Sequence, residues 1–166
     1  MQVNFLAVFL ASLIPLVIGF VWYNPKTFGT IWMNETGMTP EKGKQSNMAK
    51  VFGLTWVFSF MLAFIMQPIV IHQFGIFSIL ANQPDSVDPN SESMQLFKKI
   101  MDLYGSSYRT FKHGAFHGII AALFLVLPIM GVNALFEQKS AKYVGVNLGY
   151  WAVCMALMGG IVSAMM

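Results

Sequence analysis

Residues 143–165, YVGVNLGYWAVCMALMGGIVSAM, contain no charged side chain. They are long enough to cross a bilayer, because about 20 apolar residues in a helix span the roughly 30 Å hydrocarbon core. Within them Gly145, Gly149, Ala152, Ala156, Gly159 and Ser163 follow one another at intervals of four, three, four, three and four residues. Those intervals are helical, so the small residues form one stripe. Such a stripe has little use against lipid, but it lets a second helix approach closely. The segment therefore reads as a transmembrane helix buried against another helix, in this chain or in a second copy of it.

Reading outward, the short turn of residues 137–142 joins this segment to a span at about 111–136. A connection this short makes the two helices antiparallel neighbours. Two further runs without internal charge, at about 4–23 and 48–72, bring the number of expected spans to four. Pro15, Pro68 and Pro128 lie inside spans, which membrane helices tolerate when neighbours satisfy the freed carbonyls.

Composition points to the same solvent. Hydrophobic residues make up 56% of the 166-residue chain and charged residues 10%, where a soluble domain carries about 25% charged. That deficit cannot clothe a water-facing surface, whereas 15 Phe and 13 Met suit lipid contact and adaptable helix packing. The expected fold is all-α and polytopic, a single four-helix transmembrane domain over residues 1–166. Its net charge of +3 is no nucleic-acid signal, since the Lys and Arg residues fall in connections and at helix ends. Cys154 is the only cysteine, so an intrachain disulfide framework is excluded. The first span is expected to stay in the mature chain, because no Lys or Arg precedes Asn4 and Trp22-Tyr23-Asn24-Pro25 offers no small-x-small cleavage site.

The connections carry helices of their own. Asn24-Pro25 reads as a cap followed by proline in the first helical position, opening an interfacial helix at about 25–36 with Phe28, Ile31 and Trp32 on one side. Thr39-Pro40 is a second start signal. After Phe74-Gly75 comes the longest connection, read as loop through the Asn-, Asp-, Pro- and Ser-rich residues 82–93. An amphipathic helix then follows at about 90–104, with Asp88-Pro89 as its cap, Phe97, Ile100, Met101 and Tyr104 at helical spacing, and Gly105 as its stop.

Trp22, Tyr23, Phe28 and Trp32 form an interfacial aromatic group, the usual membrane-surface belt, with a lipid headgroup or a quinone as the alternative ligand reading. The stretch Lys112-His113-Gly114-Ala115-Phe116-His117-Gly118 opens the third span. His113 and His117 are four apart and share a helix face, while Gly114 and Gly118 provide a second close-approach surface beside them. His72 ends the preceding span, so the two crossings bring all three histidines to one membrane face. Imidazole ligates zinc, copper and iron, which makes the three a candidate site for a transition metal or haem, with assistance from Asp102 or Tyr104. The alternative is that each ring hydrogen-bonds separately to backbone or water. Asn133 and Asn147 are placed to bond across the turn between the last two spans.

Several separated motifs carry a family resemblance. Asn4-x-Leu6-Ala7-Val8, Gly19-x-x-Trp22-Tyr23-x-Pro25-x-x-Phe28-Gly29-x-x-Trp32, Leu135-Phe136-Glu137, Asn147-x-Gly149-Tyr150-Trp151 and Met158-Gly159 occur in that order. Together they resemble the bacterial membrane family catalogued as domain of unknown function 1761, over nearly the whole chain. The chain resembles in particular the version common in Bacteroidota, with counterparts of His113-Gly114 and His117-Gly118. The resemblance implies four membrane-spanning helices and no established activity.

No Asp, Glu, Lys or Arg falls in the middle of any span, where proton-coupled and ion transporters usually place one. No phosphate-binding glycine loop, nucleophile elbow or His-Glu-x-x-His motif is present, so an enzyme is not expected and no cofactor is required. The leading expectation is a structural or accessory component of the bacterial inner membrane that associates with itself or with another membrane protein. A small-molecule channel or transporter, or a metal- or haem-binding subunit, are the alternatives.

Orientation follows from Lys and Arg in the connections. Lys26, Lys42, Lys44, Lys50, Lys139 and Lys142 lie on one side, Lys98, Lys99, Arg109 and Lys112 on the other. Six against four puts both termini outside. A single cysteine at Ser91 in a Cys154→Ser background should therefore react with an impermeant thiol reagent applied to intact cells, and one at Ser140 should not; the opposite pattern reverses the orientation.

Overall fold

Each long helix begins at a polar residue whose side chain takes up an otherwise unpaired backbone N–H. In the computed structural model, which describes residues 3–165, Asn4 accepts from Ala7, Asn47 from Lys50, Thr110 from His113 and Ser140 from Tyr143. A cap of this kind stabilises a helix by about 1 kcal/mol. The capped helices are α1 (Phe5–Trp22), α4 (Met48–Val70), α7 (Phe111–Ala121) and α9 (Ala141–Ala164). A π-helical turn, Ala122–Val126, continues α7 into α8 (Leu127–Phe136), so that Phe111–Phe136 crosses as one unit. The protein is all-helical among the described residues, with four helices long and apolar enough to span a membrane. The π-turn lies just before Pro128, which has no N–H to offer and whose ring crowds the preceding turn; widening that turn accommodates both effects.

Around α9 the other three spans gather. Nine of its residues are buried, from Val146 to Ser163. Its side chains Tyr150, Cys154, Met155, Met158 and Val162 meet Val8 and Ala11 of α1, Ala63, Met66 and Val70 of α4, and Ala121 of α7. The outward faces are apolar: Phe20, Phe58, Phe124, Ile129 and Phe136 are all more than 60% exposed, a surface suited to lipid and not to water. Because lipid is as apolar as these side chains, close packing and hydrogen bonds hold the spans together. The tightest contact joins α7 to α9. A Cβ on Gly114 would overlap the Gly159 carbonyl and Ser163, and one on Gly118 would overlap the Met155 carbonyl.

Hydrogen bonds pin the remaining spans. Tyr150 Oη donates to the Pro15 carbonyl at 2.8 Å and Trp56 Nε1 to Ser12 Oγ at 3.0 Å. At one membrane face Trp22 Nε1 donates to the Val146 carbonyl at 3.1 Å and Tyr23 Oη to Asn147 Oδ1 at 2.9 Å. At the other, Asn4 Nδ2 donates to the Met165 carbonyl at 2.7 Å, tying the start of α1 to the end of α9.

Five details depart from the sequence reading. The small residues of α9 are not one interface: Gly159 and Ser163 meet α7, Gly149 meets the Trp22 ring, and Gly145 has nothing within 4 Å of an added Cβ. The stripe fixes which residues share a face, but the crossing of three different neighbours divides that face among them. Asn147 bonds Tyr23 and the Tyr143 carbonyl rather than Asn133, because α1 comes within reach first. The interfacial helix expected from Pro25 starts later, as α2 (Gly29–Thr36), since Asn24 folds residues 24–28 into a turn by accepting from Lys26, Thr27 and Gly29. The helix α6 (Glu92–Tyr104) is capped by Ser91, not Asp88. Finally, α4 ends at Val70 rather than at about residue 72, and a further helix for which the sequence offered no start signal, α5 (Gln73–Leu80), opens the long connection. A one-turn helix, α3 (Pro40–Lys44), follows Thr39.

The glycine contact sets a measurable expectation. Gly114→Ala and Gly118→Ala should each lower the thermal stability of the purified protein, by roughly 1–3 kcal/mol for an overpacked contact. Gly53→Ala and Gly145→Ala, which add a methyl to open space, should leave it unchanged or slightly raised. Equal tolerance at all four positions would remove the close approach as a determinant of stability.

A candidate histidine centre at one membrane face

Three local features bring the histidines together. Ile71 is extended at the end of α4, which turns the chain and makes His72 the N-cap residue of α5. Thr110 caps α7 by accepting from the His113 N–H at 3.2 Å, fixing the rotation of its first turn. Gly114 and Gly118 then lock one face of α7 against α9, which leaves His113 and His117 on its flank.

The resulting geometry is compact. Ring centroids lie 5.0 Å apart for His72 and His113, 5.1 Å for His72 and His117, and 4.5 Å for His113 and His117. One ring nitrogen from each can be chosen so that all three lie within 4.8 Å of one another. His72 Nε2 and His113 Nε2 are 2.9 Å apart, a hydrogen bond in which one ring is the Nε2–H tautomer and the other accepts. His72 is exposed, while His113 and His117 are half-buried.

Tyr108 closes one side of the group, its ring 5.0 Å from His113 and 6.0 Å from His72. Its φ of +62° is left-handed, a conformation costing a non-glycine residue about 1 kcal/mol or more. The surroundings hold it there: the Tyr108 carbonyl accepts from the Thr110 N–H at 2.9 Å and from Ser163 Oγ at 3.4 Å. Buried Gln73 donates from Nε2 to the carbonyls of Tyr104 and Ser107, both at 3.0 Å, which ties the start of α5 to the end of α6 and the segment after it. A cavity of about 760 Å³ lies between them, with His72, Ile76, Ile100 and Tyr108 in its walls.

Of the proposed helpers, Asp102 is exposed on α6 and is not one of the converging groups. Tyr104 lines the cavity beside His72, and its backbone carbonyl is the acceptor for Gln73. The sequence reading missed Tyr108 and Gln73; neither lies at helical spacing from the histidines, and a tyrosine in a loop carries no signal of a left-handed φ. Arg109 comes next in the chain; burial lowers its pKa from the usual guanidinium value, and its buried Nε has no hydrogen-bond partner among the described residues.

At the other membrane face Trp22 stacks on Phe28 at 4.4 Å and Tyr23 packs on Trp32 at 5.3 Å. The polar atoms of Trp22 and Tyr23 are committed to α9. These rings bolt α1 and α2 to the bundle, beside an apolar cavity of about 640 Å³ that Tyr23, Trp32 and Tyr150 help to line.

A sequence profile matches residues 6–163, that of the family described as protein of unknown function (DUF1761), and the chain belongs to that family. No curated protein and no solved structure matches it.

Proposed function

We propose that this DUF1761-family chain is an accessory protein of the bacterial inner membrane that holds one transition-metal ion through His72, His113 and His117. The observation carrying this reading is the convergence of three imidazoles, with candidate nitrogens within 4.8 Å of one another. Tetrahedral ligation at about 2.0–2.1 Å per nitrogen places ligand atoms about 3.3–3.4 Å apart. The 2.9 Å pair opens slightly and the more distant nitrogens close in, changes within the reach of side-chain rotation. Three nitrogen donors and no converging carboxylate favour zinc or copper over magnesium or calcium, which prefer oxygen. Rings 4.5–5.1 Å apart leave no slot for a porphyrin between any two of them, which favours a single ion over haem. With both termini outside, the centre faces the extracytoplasmic side, and the paired His-Gly steps fit the Bacteroidota-like version of the family.

The test is elemental analysis of the full-length protein carrying no polyhistidine tag. Zinc or copper should be retained at about one ion per chain and fall severalfold in the His113→Ala/His117→Ala double variant. The same metal content in both proteins overturns the reading.

Self-association is the second reading, favoured by the groove of about 400 Å³ between α8 and α9. Asn133 lies in its wall, exposed within the third span, where a polar amide facing hydrocarbon is costly unless bonded. Gly131 and Gly145 have only open space beside them. A second copy seated here would give Asn133 a partner. Cross-linking in native membranes should give a dimer band in the wild type that weakens in Asn133→Leu; an undiminished band would place the contact elsewhere or remove it.

A further inference from the structure

The cavity next to the histidines gives the centre a ligand class. It shares His72 and Tyr108 with the histidine group, and Ile76 of α5 and Ile100 of α6 supply apolar wall. Its volume of about 760 Å³ falls within the range of small-molecule sites, about 300–1,000 Å³. Among the described residues no Asp or Glu lines it. The amide of Gln73, also in its wall, is already spent on two backbone carbonyls.

The charge balance favours an anion. Three neutral imidazoles leave the two positive charges of a divalent ion uncompensated, and they leave at least one coordination position open. Arg109 follows Tyr108 directly, with its buried Nε unpartnered among the described residues, and Lys112 stands one residue before His113. On the side of the apolar wall no water or carboxylate offsets that charge, so an anionic ligand is favoured there. The bilayer next to the site supplies amphiphiles, and the isoleucine walls suit an alkyl chain.

We infer that the cavity takes a single-chain carboxylate, the class of free fatty acids, with its carboxylate on the open position of the histidine-held ion and its chain between Ile76 and Ile100. This rests on the metal reading above. Zinc accepts carboxylate oxygen at about 2.0–2.2 Å, so such a ligand completes a tetrahedron and removes one positive charge. A free inorganic anion would satisfy the charge and leave the apolar walls empty.

The two readings separate in one experiment on the full-length protein in a neutral detergent, loaded with cobalt as a visible-absorbing substitute for zinc. Laurate, added below its micellar concentration, should shift the cobalt bands saturably, while dodecanol and acetate at the same concentration should not. Ile100→Trp and Ile76→Trp, which fill the cavity, should each weaken the laurate response by about tenfold or more, equivalent to about 1.4 kcal/mol, and keep one cobalt per chain. An unchanged spectrum in protein holding one cobalt overturns the fatty-acid inference and leaves the metal reading standing. An equal response to dodecanol, or to acetate, overturns the carboxylate or the chain respectively. Failure to hold cobalt overturns both readings.

Discussion

The backbone contact between α7 and α9 is the constraint on which the arrangement depends. In hydrocarbon there is no gain from hiding apolar surface, so helices must find one another through packing and polar bonds. Gly114 and Gly118 present bare backbone to the Gly159 and Met155 carbonyls, at a separation that a single methyl group would prevent. Once that contact forms, the rotation of α7 about its own axis is decided. The partners of α9 on its other sides, Tyr150 to Pro15 and Trp22 to Val146, then determine where α1 sits.

The same contact produces the histidine centre. A helix locked by Gly114 and Gly118 has no freedom to hide or expose His113 and His117, which occupy positions one residue before each glycine. Their rings can only lie along the flank of the α7–α9 seam. His72 reaches that flank because α4 stops at Val70 rather than continuing through His72; the extended Ile71 redirects the chain and α5 begins there. Two independent local events, a glycine lock and a helix break, thus meet at one point. The Gln73 amide stabilises the meeting by bonding two carbonyls from the far end of the long connection.

At the opposite face the polar atoms serve the fold. Tyr23 and Trp22 each spend their single donor on α9, so the aromatic group joins elements. The contrast between the faces is chemical. One is closed by satisfied donors, while the other keeps three imidazoles, of which His72 and His113 bond each other.

Much of the architecture was legible in residues 143–165 and in the three other uncharged runs, because the cost of burying charge in hydrocarbon is paid residue by residue and needs no tertiary information. The spacing of His113, Gly114, His117 and Gly118 was equally local, since a helix puts positions four apart on one face. The passage of the chain through two crossings placed His72 at the same membrane face as His113. Which of the small residues in α9 touches a helix could not be read locally: Gly145 and Gly159 look alike in sequence, yet one meets open space and the other the Gly114 backbone. The same holds for Tyr108, for the helix α5, and for the choice of Tyr23 over Asn133 as the partner of Asn147. Sequence by itself determined solvent, span number and face-sharing within each helix, all consequences of local periodicity and transfer cost; the tertiary structure alone decided which faces meet, because that depends on the crossing of helices distant in the chain.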